Sequence, residues 1–413
     1  MTLVLVLWAI AAVASLVTGF TLLIVVNKIQ RELREAWRRA RRRELEPAVL
    51  AYAHGKDAAL LPALGGRLRL RDRRVVAETL IDFIQRVRGI ERDRLGEALD
   101  HLGYVDRWLA GLSSRRWWKR ADCAEKLGLA VARRAAPELP RLLRDDVAEV
   151  RLRAAKALGA VGGHAAVSPL VHALADASRW STIRVADILA SMGPTVTAEL
   201  AHAFPGLPVA AKLAALDVVG RIKSPDSVPW LVQRLRDPER DVRARAAHAI
   251  GEIGDPAAGR SLAALLRDPE WPVRAMAAKA IGRLRHADAA SALCDSLRDR
   301  EWWVRANAGD ALRRLGDRGV EALERMLDDA DVFARHQAVI QLQESGRLDA
   351  IVEGLADADA ARRDAAAVYV GKFVRAGQIG RLRELALHHA DARVRAALKA
   401  MLPAGALEPG RVA

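Results

Sequence analysis

The chain has 413 residues, and its 66 Lys and Arg against 51 Asp and Glu give a net charge of +15. Aromatic residues are 4% of the chain and hydrophobic residues 51%, which excludes a β-sandwich or barrel and also global disorder. Two cysteines, Cys123 and Cys294, exclude a disulfide scaffold and a zinc ribbon, and they suit a reducing compartment.

The first predicted element is a transmembrane helix over residues 1–26, which carry no charged side chain. As a helix this run would be about 39 Å long, whereas the hydrocarbon core of a bilayer is about 30 Å thick. A cleaved signal peptide is the alternative, but no basic residue precedes the apolar run. Ala11, Ser15 and Gly19 recur every four residues, so this face would permit contact with a second transmembrane helix.

A basic juxtamembrane helix is predicted over residues 27–46. Its eight basic residues are Lys28, Arg31, Arg34, Arg38, Arg39, Arg41, Arg42 and Arg43. The positive-inside rule then places the N-terminus outside and residues 28–413 in the cytoplasm, in a single-pass protein of the inner membrane. These side chains either bind anionic lipid headgroups or only set the topology, and the sequence leaves both interpretations open.

Residues 47–112 are expected to form an irregular helical cap. Pro47 suits the first turn of a helix, and residues 74–87 and 91–101 have helical patterns. Residues 403–413 contain two prolines and two glycines, which predicts a flexible tail.

The rest of the chain is repetitive. Residues 241–251, 272–282 and 303–313 align at an offset of 31, and each block is followed by a turn and a second apolar-periodic segment. The pattern predicts units of two amphipathic helices joined by a short turn.

An acidic residue separates consecutive units, and an arginine follows it after six positions. The pairs are Asp145 with Arg151, Asp237 with Arg243, Asp268 with Arg274, Asp299 with Arg305, Asp329 with Arg335, and Asp357 with Arg363. Stacked units would bring each arginine beside acidic residues of its own and of neighbouring units. We therefore expect a ladder of charge-assisted hydrogen bonds, which makes these arginines structural.

The Asp-Pro-Glu-x-x-Val-Arg block at residues 268–274 and the Ala-x-Ala-Ile-Gly segments resemble HEAT-like repeats, in particular the short bacterial variant of the phycobilisome lyases. The resemblance covers residues 113–402 in about nine units and is weakest at residues 176–222. It implies an all-α, right-handed α-solenoid whose usual role is to bind partners.

Six of the ten tryptophans lie at the start of a unit's first helix. They are Trp117, Trp118, Trp180, Trp271, Trp302 and Trp303. Trp and Arg are enriched where interfaces bind most tightly, so this edge could bind a partner. Alternatively, each Trp covers the seam between two units, and the sequence does not decide between the two.

No catalytic signature is found, and no metal or cofactor is predicted. The chain has no His-Glu dipeptide, which argues against an HExxH zinc site and against the di-iron site of deoxyhypusine hydroxylase, a HEAT-like enzyme. His388, His389 and Asp391 are interpreted as a solvated helix end, and Cys123 and Cys294 as small buried side chains.

The preferred hypothesis is a non-enzymatic, membrane-tethered cytoplasmic scaffold or adaptor that binds a protein partner. A multi-span membrane enzyme or an envelope-assembly component is the suggested partner, and anionic lipid headgroups would contact the basic segment. A nucleic-acid-binding solenoid is one alternative, weakened because the net charge outside residues 28–43 is only +9. An unrecognised enzyme, such as a bilin lyase, is the other.

Overall fold

The computed structural model describes residues 2–56, 60, 72–176, 178–377, 379–403 and 405–407, with the side chains of residues 2–7, 9–14 and 164 left out. Every regular element in these ranges is a helix, and no β-strand occurs in them. The chain divides into two compact units, Met1–Pro169 and Leu170–Ala413. We refer to them as unit 1 and unit 2.

Unit 1 is built from seven helices among the described residues. They are α1 (Thr2–Ala53), α2 (Arg73–Arg86), α3 (Ile90–His101), α4 (Tyr104–Gly111), α5 (Trp117–Leu129), α6 (Leu139–Leu142) and α7 (Ala148–Val161). Helix α8 (His164–Ala175) contains the boundary between the units. The core of unit 1 includes Leu80, Ile84, Leu95 and Leu99, which are fully buried.

Helix α1 continues through both boundaries predicted for the N-terminal region. Pro47 lies inside this helix rather than in a first turn, so the prediction that it begins a helix is wrong. An internal proline costs a helix about 3 kcal/mol. Leu45, Val49 and Tyr52 are buried on either side of it, and α1 packs on α2 and α3, so tertiary packing outweighs this cost.

No helix is long and apolar enough to cross a bilayer in the part of the chain that the structure describes. The predicted transmembrane helix over residues 1–26 is therefore not supported. Ala11 and most other side chains of residues 1–14 lie outside the described residues. Ser15 and Gly19 are exposed on α1.

Unit 2 consists of helical hairpins. Its helices are α9 (Thr182–Ser191), α10 (Thr195–Ala203), α11 (Val209–Ile222), α12 (Val228–Arg234), α13 (Arg240–Ile253), α14 (Gly259–Ala264), α15 (Trp271–Leu284), α16 (Ala290–Ser296), α17 (Trp302–Arg314), α18 (Asp317–Met326), α19 (Val332–Glu344), α20 (Arg347–Glu353), α21 (Ala360–Arg375), α22 (Gly380–His388) and α23 (Ala392–Met401). We call the odd-numbered helices the first helices. Each first helix from α9 to α17 packs against the first helix of the next hairpin.

The apolar spacing of the repeat explains this packing. In α13, Val242, Ala246, Ala249 and Ile250 are buried, which is one face of a helix with 3.6 residues per turn. A single hairpin cannot cover that face, so consecutive hairpins stack and share a core.

Glycine at the end of a first helix lets two neighbours approach closely. A Cβ atom on Gly282 of α15 would lie 2.7 Å from the Cα atom of Ala311 in α17. Gly251 of α13 faces Ala280 of α15 in the same way, at 3.1 Å. The contact at Gly282 is shorter than Cβ packing allows, so this position requires glycine, whereas the contact at Gly251 is tight and favours glycine.

Candidate functional site

In many hairpins, an arginine six positions after the boundary residue donates hydrogen bonds to the turn that precedes its own helix. We call such a turn a fastened turn. Arg274 donates through Nη1 to the carbonyl oxygens of Asp268 and Pro269, at 2.9 and 3.0 Å. The same pair of bonds is made by Arg120, Arg151, Arg243, Arg305, Arg335, Arg363 and Arg395. These bonds satisfy carbonyls that the turn would otherwise leave without partners.

Some of these arginines also bind the boundary aspartate of the next hairpin. They are Arg120 with Asp145, Arg243 with Asp268, and Arg274 with Asp299. Arg274 donates through Nε and Nη2 to the two carboxylate oxygens of Asp299, at 2.6 and 2.9 Å. Burial raises the pKa of Asp299, but hydrogen bonds from Arg274 and the Glu301 amide outweigh it, so this pKa lies below its ordinary value.

The ladder changes between α17 and α19. Asp299 and Asp329 are separated by 30 residues, whereas Asp237, Asp268 and Asp299 are separated by 31. Asp329 pairs instead with Arg298, and the guanidinium of Arg305 lies 4.6 Å from the centre of the Phe333 ring. Within the described ranges, Arg305, Arg335 and Arg363 have no carboxylate partner.

The turns fastened in this way present large aromatic side chains to solvent. Trp302 and Trp303 are 56% and 57% exposed and pack edge to face, with ring centres 4.7 Å apart. Trp271 is 39% exposed. Exposed large aromatic groups that cluster on one surface are typical of interaction sites.

Phe333 continues this row, and sequence reasoning missed it because only tryptophans were compared. It stands four residues after Asp329, as Trp303 stands four after Asp299. Phe333 is 56% exposed. We define the aromatic row as Trp271, Trp302, Trp303 and Phe333.

The other three predicted tryptophans are described separately. Trp117 and Trp118 belong to unit 1 and are exposed, and Arg116 lies 5.8 Å from the ring of Trp118. Trp180 belongs to unit 2 and is half-buried. The row therefore contains three of the six predicted tryptophans, and a binding edge formed by all six stays a prediction.

A groove of about 560 Å³ lies beside the row, across α11, α13, α15 and α17. Its principal lining residues are Ala244, His248, Trp271, Ala275, Lys279 and Trp303. Lys279 occupies a position of the repeat that is His248 in the previous hairpin and Asp310 in the next hairpin. Such variation at one repeat position indicates a surface site, and this signal was available in the sequence.

The basic side chains of α1 fall into two groups. Arg41 pairs with Glu44 and Asp72, and Arg42 pairs with Glu46 and Asp82, so both are held within unit 1. The other six are Lys28, Arg31, Arg34, Arg38, Arg39 and Arg43, of which Arg38 is half-buried and the rest are exposed.

No cluster of three or more metal-binding side chains occurs in the described part of the chain. His389 contacts the Glu353 carboxylate at 3.1 Å and accepts from the amide of Asp391. Burial raises the pKa of the Cys123 and Cys294 thiols, which keeps both in the unreactive thiol form.

Known structures share the helical architecture at low similarity. The karyopherin Kap121p bound to Pho4p is 11% identical with a TM-score of 0.45, over 87% of this chain and 49% of that one. The complex of CpcE and CpcF of phycocyanin lyase from Nostoc sp. PCC7120 is 21% identical with a TM-score of 0.26, over 58% and 94%. Human deoxyhypusine hydroxylase is 21% identical with a TM-score of 0.25, over 67% and 97%.

No curated protein matches the sequence. The sequence model for HEAT repeats does match, at residues 105–190, 197–272 and 259–343, which together are more than half of the chain. The matched segments contain the turns bound by Arg120, Arg151, Arg243, Arg274, Arg305 and Arg335, and the whole aromatic row. The chain therefore belongs to the HEAT-repeat family.

Proposed function

We propose that this protein is a non-enzymatic scaffold that binds a protein partner through the aromatic row of unit 2. The observation that carries the proposal is the exposure of Trp302 and Trp303, both more than half accessible. Interface residues that dominate binding are enriched in Trp and Arg. A stack of first helices supplies a firm base, because their contacts with one another are backbone-close at Gly251 and Gly282.

Seam filling explains these tryptophans less well. A side chain that fills a joint between two hairpins is largely buried, as is Phe204, which packs edge to face on Trp230 of the next hairpin. Trp303 instead lines a groove that is open to solvent. Removing its exposed surface from water would contribute to binding rather than to folding.

The charges argue against the nucleic-acid alternative. A phosphate-binding surface needs unpaired Lys and Arg on one face. Many arginines of unit 2 are used in turns or ion pairs, including Arg243, Arg245, Arg274, Arg283 and Arg313. The enzyme alternative has no supporting observation, since the described residues offer neither a reactive thiol nor a metal cluster.

We further propose that α1 attaches the scaffold to the cytoplasmic face of an inner membrane. Support comes from the charge-free residues 1–26 and from exposed apolar side chains such as Leu16 and Phe20. The exposed basic residues of α1 would then lie over anionic headgroups. A membrane enzyme or an envelope-assembly component remains the suggested partner.

Site-specific photo-crosslinking in the cells that make the protein tests the scaffold. A crosslinking amino acid replaces Trp303 in the full chain, and a matched control replaces Ile90, an exposed apolar residue of unit 1. We expect a discrete protein adduct from position 303 that disappears when Trp271 and Trp302 are changed to Ala. Identical adducts from both positions, or nucleic acid alone, would contradict the proposal.

Two measurements test the membrane attachment. Flotation with vesicles containing anionic lipid should recover the wild type, and less of a variant in which Lys28, Arg31 and Arg34 are Glu. A reporter active only outside the cytoplasm, fused after residue 413, should stay inactive. Activity of that reporter would disprove the proposed orientation.

A further inference from the structure

We propose that the groove beside the aromatic row binds an uncharged, proline-rich segment of the partner in the polyproline II conformation, with one proline for each first helix that the segment crosses. This inference rests on the proposed function, because it names the chemistry of the protein segment that the row would bind. It is carried by the balance of charges in the groove, by the spacing of the first helices and by the hydrogen-bond donors on the groove walls.

The groove offers no net charge for a charged segment to match. Arg245 donates to both carboxylate oxygens of Asp217, at 2.9 and 3.0 Å. Burial lowers the pKa of His248, so its ring is mainly neutral at pH 7. Burying an uncharged segment therefore leaves no new charge without a partner. The three cations in or beside the groove are Arg240, Arg245 and Lys279, and the three carboxylates are Asp217, Asp241 and Glu270.

The surfaces that an uncharged segment would contact are apolar. Ala244 and Ala275 occupy the same repeat position in α13 and α15, and both line the groove together with the half-buried Met276. Trp271 and Trp303 add large ring surfaces from successive first helices. Grooves lined by aromatic side chains are typical binding sites for proline-rich segments, whose extended conformation is already formed before binding.

The spacing of the first helices selects the conformation of the segment. Packed helices lie about 8–10 Å apart. In a polyproline II helix, every third residue returns to the same face after about 9 Å. Side chains on one face of a β-strand recur after about 7 Å, and those on one face of an α-helix after about 5 or 11 Å. Polyproline II therefore best presents one side chain to each successive first helix.

The donors on the groove walls complement a proline-rich backbone. Proline has no N–H, so such a segment offers mainly carbonyl oxygens. The indole N–H groups of Trp271 and Trp303 have no acceptor among the residues that the structure describes, and both side chains are exposed. Each indole can therefore donate to a carbonyl of the segment while its ring packs on a proline.

Selection from a displayed library of random dodecapeptides on the full chain tests this inference. We expect the enriched peptides to share prolines separated by three positions and to have no charge in common. Apolar residues at every second position, or at helical spacings of three and four, would overturn the polyproline II conformation. A library without any enriched sequence would overturn the groove as a peptide-binding site.

Two synthetic nonapeptides of Pro, Gln and Ala measure the effect of spacing directly. One has proline at its second, fifth and eighth positions, and the other has the same composition with proline at its second, fourth and eighth positions. Titration of the full chain, followed by tryptophan fluorescence, should show about tenfold tighter binding of the first peptide, because the second loses one anchor. Equal affinities would overturn the match between the prolines and the first helices.

Three variants connect this binding to the groove. Trp303→Ala should weaken the first peptide about tenfold, whereas Trp118→Ala, which removes a similarly exposed indole from unit 1, should leave its affinity intact. Trp303→Phe keeps a ring and loses the N–H, so we expect an affinity between those of the wild type and Trp303→Ala. Unchanged thermal unfolding of Trp303→Ala would verify that the fold is intact.

Lys279→Gln tests the absence of a charge requirement. This variant should change the affinity of the uncharged peptide by less than about twofold, because the peptide has no carboxylate for Lys279 to bind. A loss as large as that of Trp303→Ala, or enrichment of acidic peptides in the library, would overturn the uncharged segment.

The failures are distinguishable from failure of the proposed function. Peptides that need Trp303 but show no spacing of three would overturn the proline-rich segment and leave the scaffold standing. Peptides that bind equally to the wild type and to Trp303→Ala would overturn the groove as the binding site. In that case crosslinking from position 303 still judges the proposed function independently.

Discussion

The hairpins from α13 to α17 and those from α17 to α19 have the same arginine-bound turn, but the contacts that join one hairpin to the next differ. We call these contacts junctions. In the first, the repeat is 31 residues, Arg274 joins the carboxylate of Asp299, and Gly282 meets Ala311. In the second, the repeat is 30 residues, Arg305 lies over Phe333, and Gly309 faces two glutamines.

The difference shows which parts of the repeat depend on register. The hydrogen bonds from each arginine to its own turn connect residues five and six positions apart. They remain intact when the repeat is one residue shorter. The hydrogen bond to the aspartate of the next hairpin connects residues 25 positions apart, and it is absent where the repeat is 30 residues long. Arg298, at a separation of 31 from Asp329, then occupies that carboxylate.

The largest expected effect distinguishes an arginine that binds the next hairpin's aspartate from one that binds only the carbonyls of its own turn. Arg274→Ala should lower the free energy of unfolding by about 3 kcal/mol, because it strands the partly buried carboxylate of Asp299. Arg335→Ala removes only bonds to carbonyls and should cost about 1 kcal/mol. Urea unfolding followed by circular dichroism measures both. Equal losses would mean that the junction carboxylate adds nothing.

A second pair of variants probes how closely the first helices approach. Gly282→Ala should destabilise by about 1–3 kcal/mol, because its Cβ would press on the backbone of Ala311. Gly309→Ala would meet the side chains of Gln337 and Gln341 rather than backbone atoms, and Ala has the higher helix propensity, so we expect a smaller loss of about 1 kcal/mol. Hydrogen exchange in α15 and α17 reports the effect locally, and faster exchange in Gly309→Ala than in Gly282→Ala would contradict this explanation.

Acid should weaken both junctions. The pKa of Asp299 is lowered as described above, and that of Asp329 is lowered chiefly by its hydrogen bond from Arg298. The folded pKa thus lies below the unfolded value of about 3.9, so the stabilisation is complete above that pH and is lost as pH falls through the folded pKa. Melting temperatures between pH 6 and pH 3 should fall less steeply for Asp299→Asn, and an unchanged slope would exclude Asp299 as a contributor.

The smallest effect concerns the replacement contact. A double-mutant cycle between Arg305 and Phe333 should give a coupling of about 0.5–1 kcal/mol, typical of a cation over an aromatic ring. The same cycle for Arg274 and Asp299 should give the larger value. Val332→Ala, next to Phe333 and similarly exposed, serves as the control with little effect. A coupling near zero for Arg305 and Phe333 would show that their proximity does not stabilise the junction.

Sequence periodicity predicted the helical hairpins and the HEAT-repeat family because both follow from the spacing of Val, Ala, Ile and Arg. The partners of the arginines were less predictable. Contact between Arg274 and Asp299 depends on how successive hairpins are displaced relative to each other. A local sequence pattern does not contain this information. The shortening between Asp299 and Asp329 was visible in the sequence, but its consequence for Arg298 required the structure.

Exposure at the candidate site could not be read from the sequence either. The same position opens a first helix in every unit, yet Trp303 is open to solvent and Trp180 is half-buried. Equivalent positions in the repeat therefore differ in exposure, and the repeat pattern does not report this difference. Phe333 was recoverable, because comparing all aromatic residues at this position would have found it.

The contact of Gly282 with Ala311 has an entropic consequence. Glycine and alanine have no side-chain rotamers, so this contact has no side-chain freedom to lose when a partner binds. Trp271 and Trp303 stand at the starts of the two helices that the contact joins. Ordering during binding is confined to the lining side chains and the partner segment, which favours a groove that is preorganised rather than moulded by its occupant.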